Sequence, residues 1–77
     1  MKIHLQLYSI LREKLPPGSN GKAELQMKSG ASLQDLLNEL GITRKVVISI
    51  NNEQESNTSR LLQEGDNVKM FSSISGG

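Results

Sequence analysis

Cysteine is absent from the 77 residues, which excludes disulfide staples, thiolate metal sites and a cysteine nucleophile. The same absence fits a reducing compartment, and a cytoplasmic protein is expected. Tryptophan is also missing, and one tyrosine and one phenylalanine are the only aromatics, so the core must be aliphatic. A single histidine cannot assemble a metal cluster, and no metal site is expected. Excess charge of either sign is missing too. Nine basic and eight acidic residues are spread along the chain to give +1, with no basic run to track phosphates, so nucleic acid is not an expected partner. No apolar stretch approaches a membrane span and the first residues do not resemble a signal peptide, so no membrane partner is expected either.

What is present is a set of short periodic segments. Residues 2 to 8 alternate, with Ile3, Leu5 and Leu7 on one side and Lys2, His4, Gln6 and Tyr8 on the other, the period of a half-buried strand. His4 falls on the polar face and reads as a solvated side chain, neither ligand nor general base. Ser9 stands where it would cap a short helical turn that Pro16-Pro17-Gly18 ends. Alternation returns from Lys22 to Lys28, with Ala23, Leu25 and Met27 apolar, and the two strands are expected to form an antiparallel hairpin with one wet face.

The strongest local signal follows. Ser32 is a good N-cap, Asp35 sits where a capping box places its acid, and Leu33, Leu36, Leu37 and Leu40 fall at i, i+3, i+4 and i+7 before Gly41. Each leucine is worth about 1.5 to 3 kcal/mol if fully buried, so this face is expected in the core against Ile3, Leu5, Leu7, Val46, Ile48, Ile50 and Val68. Residues 46 to 50, β-branched at four positions of five, read as a buried central strand. Residues 51 to 60 contain no aliphatic side chain, leaving room for a short edge strand at most. Leu61 and Leu62 dip back toward the core, and Glu64-Gly65-Asp66 turns the chain into a last strand from Asn67 to Phe71. Gly65-Asp66 has no glycine-rich cradle, lysine or following helix, so a tight turn accounts for it better than a phosphate loop.

One helix among four or five strands predicts an α+β domain over residues 1–77, a mixed sheet with the helix across one face. The crossover through the helix allows one parallel pair, expected between the first and last strands in the middle of the sheet. After Phe71 the chain runs Ser72-Ser73-Ile74-Ser75-Gly76-Gly77. Two glycines carry no Cβ and pass where no other residue fits. Residues 72–77 are expected to be a flexible tail, with the residues after Ser72 disordered in the free protein and ordered in a partner's groove.

Tyr8-Ser9-Ile10-Leu11-Arg12-Glu13, the run from Leu62 to Phe71 with its Gly65-Asp66 turn, Ser32 to Leu40, Ile50-Asn51 and the closing Gly76-Gly77 together resemble the MoaD/ThiS-type sulfur carriers. That branch has the ubiquitin-like β-grasp fold, and the likeness is greatest to the molybdopterin synthase small subunit. Two features differ from the family pattern: Ser72-Ser73 stands where many of those subunits have a proline pair, and Glu53 to Ser59 lacks the usual apolar anchor.

The chain shows no catalytic constellation of its own, so whether it counts as an enzyme stays open; any reactive group must be its α-carboxylate. The resemblance implies a carried substrate. A ubiquitin-activating-type partner (MoeB/ThiF-like), using Mg-ATP while this chain binds no cofactor, would adenylate Gly77, and sulfur transfer would leave a thiocarboxylate. Gly76 would give access to the enclosed site, and the sulfur would go to a pterin precursor in a molybdopterin synthase large subunit (MoaE-like). Phe71, Ile74 and Ser75 are the expected partner-binding residues, although Phe71 suits the core equally. Three alternatives remain: a carrier for thiamine or another sulfur metabolite, a ubiquitin-like modifier attacked by a lysine amine, and a plain binding module with an incidental Gly-Gly.

Overall fold

The computed structural model describes residues 1–72. The element order is β1 (Lys2–Leu7), a 3-10 helix (Ser9–Lys14), β2 (Lys22–Gln26), α1 (Leu33–Leu40), β3 (Val46–Ile50), β4 (Glu53–Glu55) and β5 (Asn67–Ser72). The strands form one mixed sheet in the order β2-β1-β5-β3-β4. β1 and β5 are parallel and lie in the middle, with Leu5 beside Val68 and Leu7 beside Met70, while the other three pairings are antiparallel. The hairpin, the parallel central pair and the short edge strand are therefore as the sequence predicts.

α1 forms where its sequence says it should. The Ser32 hydroxyl accepts from the Asp35 N–H at 3.1 Å, and the Asp35 carboxylate accepts from the Ser32 N–H at 2.8 Å, a complete capping box. The helix closes at Gly41 with φ 70°. Leu33, Leu36 and Leu37 are buried, and Leu40 is half-buried at the margin of the cluster. They meet Ile3, Leu5, Leu7, Ile48, Ile50, Val68 and Met70 from one face of the sheet, joined by Leu11, Ile42 and Leu62.

Four local expectations need correction. Ser9 does not cap the 3-10 helix: Tyr8 is the cap residue, no side-chain cap bond forms, and Ser9 itself takes φ 54°. β3 is not a buried central strand. It lies one place from the edge, between β5 and β4, and only one of its faces is core: Val46, Ile48 and Ile50 point inward, Val46 half-buried at the margin, while Val47 is 41% exposed. A β-branched run reports strand propensity, not burial on both faces. Of the leucine pair only Leu62 enters the core, and Leu61 is 59% exposed. The alternating strands also stop early, at Leu7 and Gln26.

The segment without aliphatics opens on the turn that its asparagine pair predicts, and further along it has a role that the sequence did not disclose. Asn51 and Asn52, at φ 53° and 72°, make the two-residue turn between β3 and β4, the turn whose twist suits a tight hairpin. Downstream, the Arg60 carbonyl accepts from Leu33 N–H and the Thr58 carbonyl from Gln34 N–H, both at 2.8 Å. With Ser32 these satisfy the first-turn donors of α1, which otherwise have no partner.

Candidate functional site: the outer face where β5 ends

β5, the strand leading into the last residues, is the middle strand of the sheet and is held on both sides, parallel to β1 and antiparallel to β3. Its entry is fixed by a polar bracket. Asp66, 4% exposed, accepts from Asn51 Nδ2 at 2.9 Å with Oδ1 and from the Gln63 N–H at 2.8 Å with Oδ2. Asn51 in turn accepts from the Asn67 N–H with Oδ1 at 2.9 Å, and its own N–H donates to the Asn67 carbonyl at 2.8 Å. The Asp66 carbonyl accepts from the His4 N–H, and Gly65 N–H donates to the Lys2 carbonyl. The Gly-Asp turn thus ties the start of β5 to both neighbours. A buried carboxylate is tolerated only with such donors.

Alternation along β5 sends Val68 and Met70 to the core and Lys69 and Phe71 to the opposite, outer face. Phe71 is 38% exposed and stacks on Tyr8, with ring centroids 4.4 Å apart and planes 9° from parallel. The Tyr8 N–H donates to the Met70 carbonyl at 3.1 Å, and Val47 lies opposite Phe71 in the β3–β5 register. Tyr8, Phe71 and Val47 therefore form an apolar patch on an otherwise polar face, two residues or fewer from the end of β5. Further along that face His4 Nδ1 is 3.3 Å from Glu24.

Of the predicted partner-binding residues, Phe71 is on the outer face, which removes the core alternative. Ile74, Ser75, Gly76 and Gly77, and the predicted disorder of the tail, lie outside the described residues. Tyr8 and Val47 are not among the site residues that the sequence predicts. The signal for Tyr8 was available, since it is in phase with the polar residues of β1; Val47 was masked by the apolar run around it. Asp66 reads in the sequence as a turn residue, and nothing in its neighbours points to Asn51, fifteen positions earlier. Among the described residues no group of His, Cys, Asp or Glu is arranged to hold a metal ion, and no helix is long and apolar enough to cross a membrane.

A mixed five-stranded sheet wrapped on one helix, with its first and last strands parallel at the centre, defines the ubiquitin-like β-grasp class. Within that class, the model of the ThiS family matches residues 5–77, and the chain belongs to that family. Solved structures share the fold at low identity. A putative molybdopterin converting factor subunit 1 from Pyrococcus furiosus is 19% identical with a TM-score of 0.76, over 96% of this chain and 99% of that one. SAMP1, a small archaeal modifier protein from Haloferax volcanii, is 16% identical with a TM-score of 0.74 over the whole of both chains. The complex of subunits 1 and 2 of the molybdopterin-converting factor from Helicobacter pylori contains a chain 15% identical, TM-score 0.66, again over the whole of both. No curated protein sequence matches.

Proposed function

We propose that this protein is a sulfur carrier whose Gly77 carboxylate is activated and converted to a thiocarboxylate, and that it serves as the small subunit of a molybdopterin synthase. The observation that carries the reading is the family match running through Gly76-Gly77 at the end of a strand pinned on both sides. Five residues beyond Ser72 have a covalent reach of about 17 Å when extended, enough to enter an enclosed site while the folded domain stays outside.

The chemistry is imposed by the carboxylate. Its direct displacement would expel oxide, so a carboxylate oxygen of Gly77 first attacks the α-phosphate of Mg-ATP on an activating enzyme, and pyrophosphate leaves. A sulfur nucleophile then attacks the acyl carbon and AMP departs with the electron pair of the broken C–O bond. Phe71, with Tyr8 and Val47, forms the apolar centre that partners cover, an aromatic cluster of the kind that dominates binding energy. Ile74 and Ser75 would supply further partner contacts next to Gly76.

The large-subunit partner is favoured by the Helicobacter pylori relative, solved with its subunit 2. The likeness to SAMP1 over both full chains favours a second reading, a modifier whose activated glycine is attacked by a lysine amine. Purified thiocarboxylate protein mixed with a large subunit and a sulfur-free pterin precursor separates them. The proposed function predicts discharge of the thiocarboxylate in step with sulfur appearing in the pterin. Retention of sulfur there, with lysine isopeptides to this protein in cells, would favour the modifier.

A further inference from the structure

The balanced charge of the sequence is not balanced in space. β5 ends at Ser72 beside Val46, and the 3-10 helix, the turn before β2 and the loop from Gly41 to Lys45 gather at that same end of the sheet. Ile10, Glu13 and Lys14 face Gly41, Thr43 and Arg44 across a shallow groove there. Five of the nine basic residues, Arg12, Lys14, Lys22, Arg44 and Lys45, are exposed at this end, with Glu13 the one acidic residue among them. Glu53, Glu64 and Asp66 sit at the opposite end, where β3, β4 and β5 turn. The three ion pairs among the described residues, Lys2–Glu24, His4–Glu24 and Arg60–Glu55, involve none of the five.

Resting on the carrier reading above, we infer that this basic end is the orienting surface for the activating partner, and that the partner presents an acidic rim around the opening that takes Gly76-Gly77. The Tyr8–Phe71 pair supplies the apolar centre of such a contact, and the cations around it supply the charged margin. A polarised charge distribution turns a small protein toward a complementary surface before contact, and raises the encounter rate more than it deepens the bound state. Here it brings the end that bears the tail forward. The interaction acts over a Debye length of about 8 Å at physiological salt, so clustering of the cations within one end is what makes them act together.

The test is the rate of acyl-adenylate formation with the activating enzyme of the same organism and Mg-ATP, followed against concentration of this protein at several salt concentrations. Lys14→Glu, Arg44→Glu and Lys45→Glu combined are expected to raise KM by about tenfold or more with kcat within about twofold, and to flatten the salt dependence of kcat/KM. Lys2→Glu with Lys28→Glu, away from this end, is expected to change KM by less than about twofold. Circular dichroism confirms the fold, and the Arg44→Glu, Lys45→Glu pair replaces the triple variant if it does not fold. An unchanged KM in the charge-reversed protein overturns the inference while leaving the carrier reading intact. Salt-sensitive binding of a fluorescent 20-nucleotide DNA that the reversal abolishes, with KM unchanged, also overturns it and assigns the surface to nucleic acid. If the unaltered protein forms no adenylate at all, the carrier reading itself fails and the inference falls with it.

Discussion

Asp66 shows how much one side chain holds at the threshold of β5. It serves two donors, Asn51 Nδ2 and Gln63 N–H, from a buried position. Asp66→Ala leaves both unpaired and is expected to cost about 1 to 3 kcal/mol in chemical denaturation. Asp66→Asn keeps the shape but sets an amide NH2 against one of those donors, and Asn51 cannot flip to relieve it because its Oδ1 already receives the Asn67 N–H. It too is therefore expected to destabilise, and a wild-type midpoint for Asp66→Asn would show that the bracket is incidental. Gly21 is a second such position. Its φ is +76°, a Cβ there would collide with the Leu7 carbonyl oxygen, and the Leu7 N–H is bonded to the Gly21 carbonyl at 2.7 Å, so neither strand gives way easily. Gly30, at φ +89°, has open space where its Cβ would go. Gly21→Ala should lower stability clearly more than Gly30→Ala, by about 1 kcal/mol or more; equal losses would mean that backbone strain alone matters at both.

At the scale of elements, periodicity made most of the fold legible. Period-two alternation disclosed β1 and β2, and the leucine spacing with Ser32 and Asp35 disclosed α1, because these patterns depend only on neighbours in sequence. What stayed hidden depended on partners distant in the chain. Val47 looks like its neighbours until the β3–β5 register turns it outward beside Phe71. Thr58 and Arg60 belong to a segment with no aliphatic residue, and their carbonyls become useful only when the loop meets the start of α1. The outer-face position of Phe71 was legible as one of two alternatives, and its exposure and stacking on Tyr8 decide between them. The helix is expected to be the principal core element: Leu36, fully buried among both layers, should cost about 2 to 5 kcal/mol when truncated to alanine. A loss below about half a kcal/mol in a urea titration would mean that the sheet stands without the helix face.

For the molecule as a whole, β5 runs from the polar bracket that fixes its start, at one end of the sheet, to the cationic end where it finishes. The proposed chemistry at Gly77 needs the domain to be a stable handle and the last two residues to pass a narrow opening, and a near-attack geometry tolerates errors of only about an ångström. The fold and the tail should then be separable by substitution. The direct measurement is the intact mass of the protein co-expressed with an activating enzyme and a sulfur donor, with fragmentation to locate the change. The unaltered chain is predicted to gain one oxygen-to-sulfur replacement at Gly77, and chains lacking Gly77 or extended by one alanine are predicted to gain none while keeping the same denaturation midpoint. An extended chain that acquires sulfur at the unaltered rate would contradict the account.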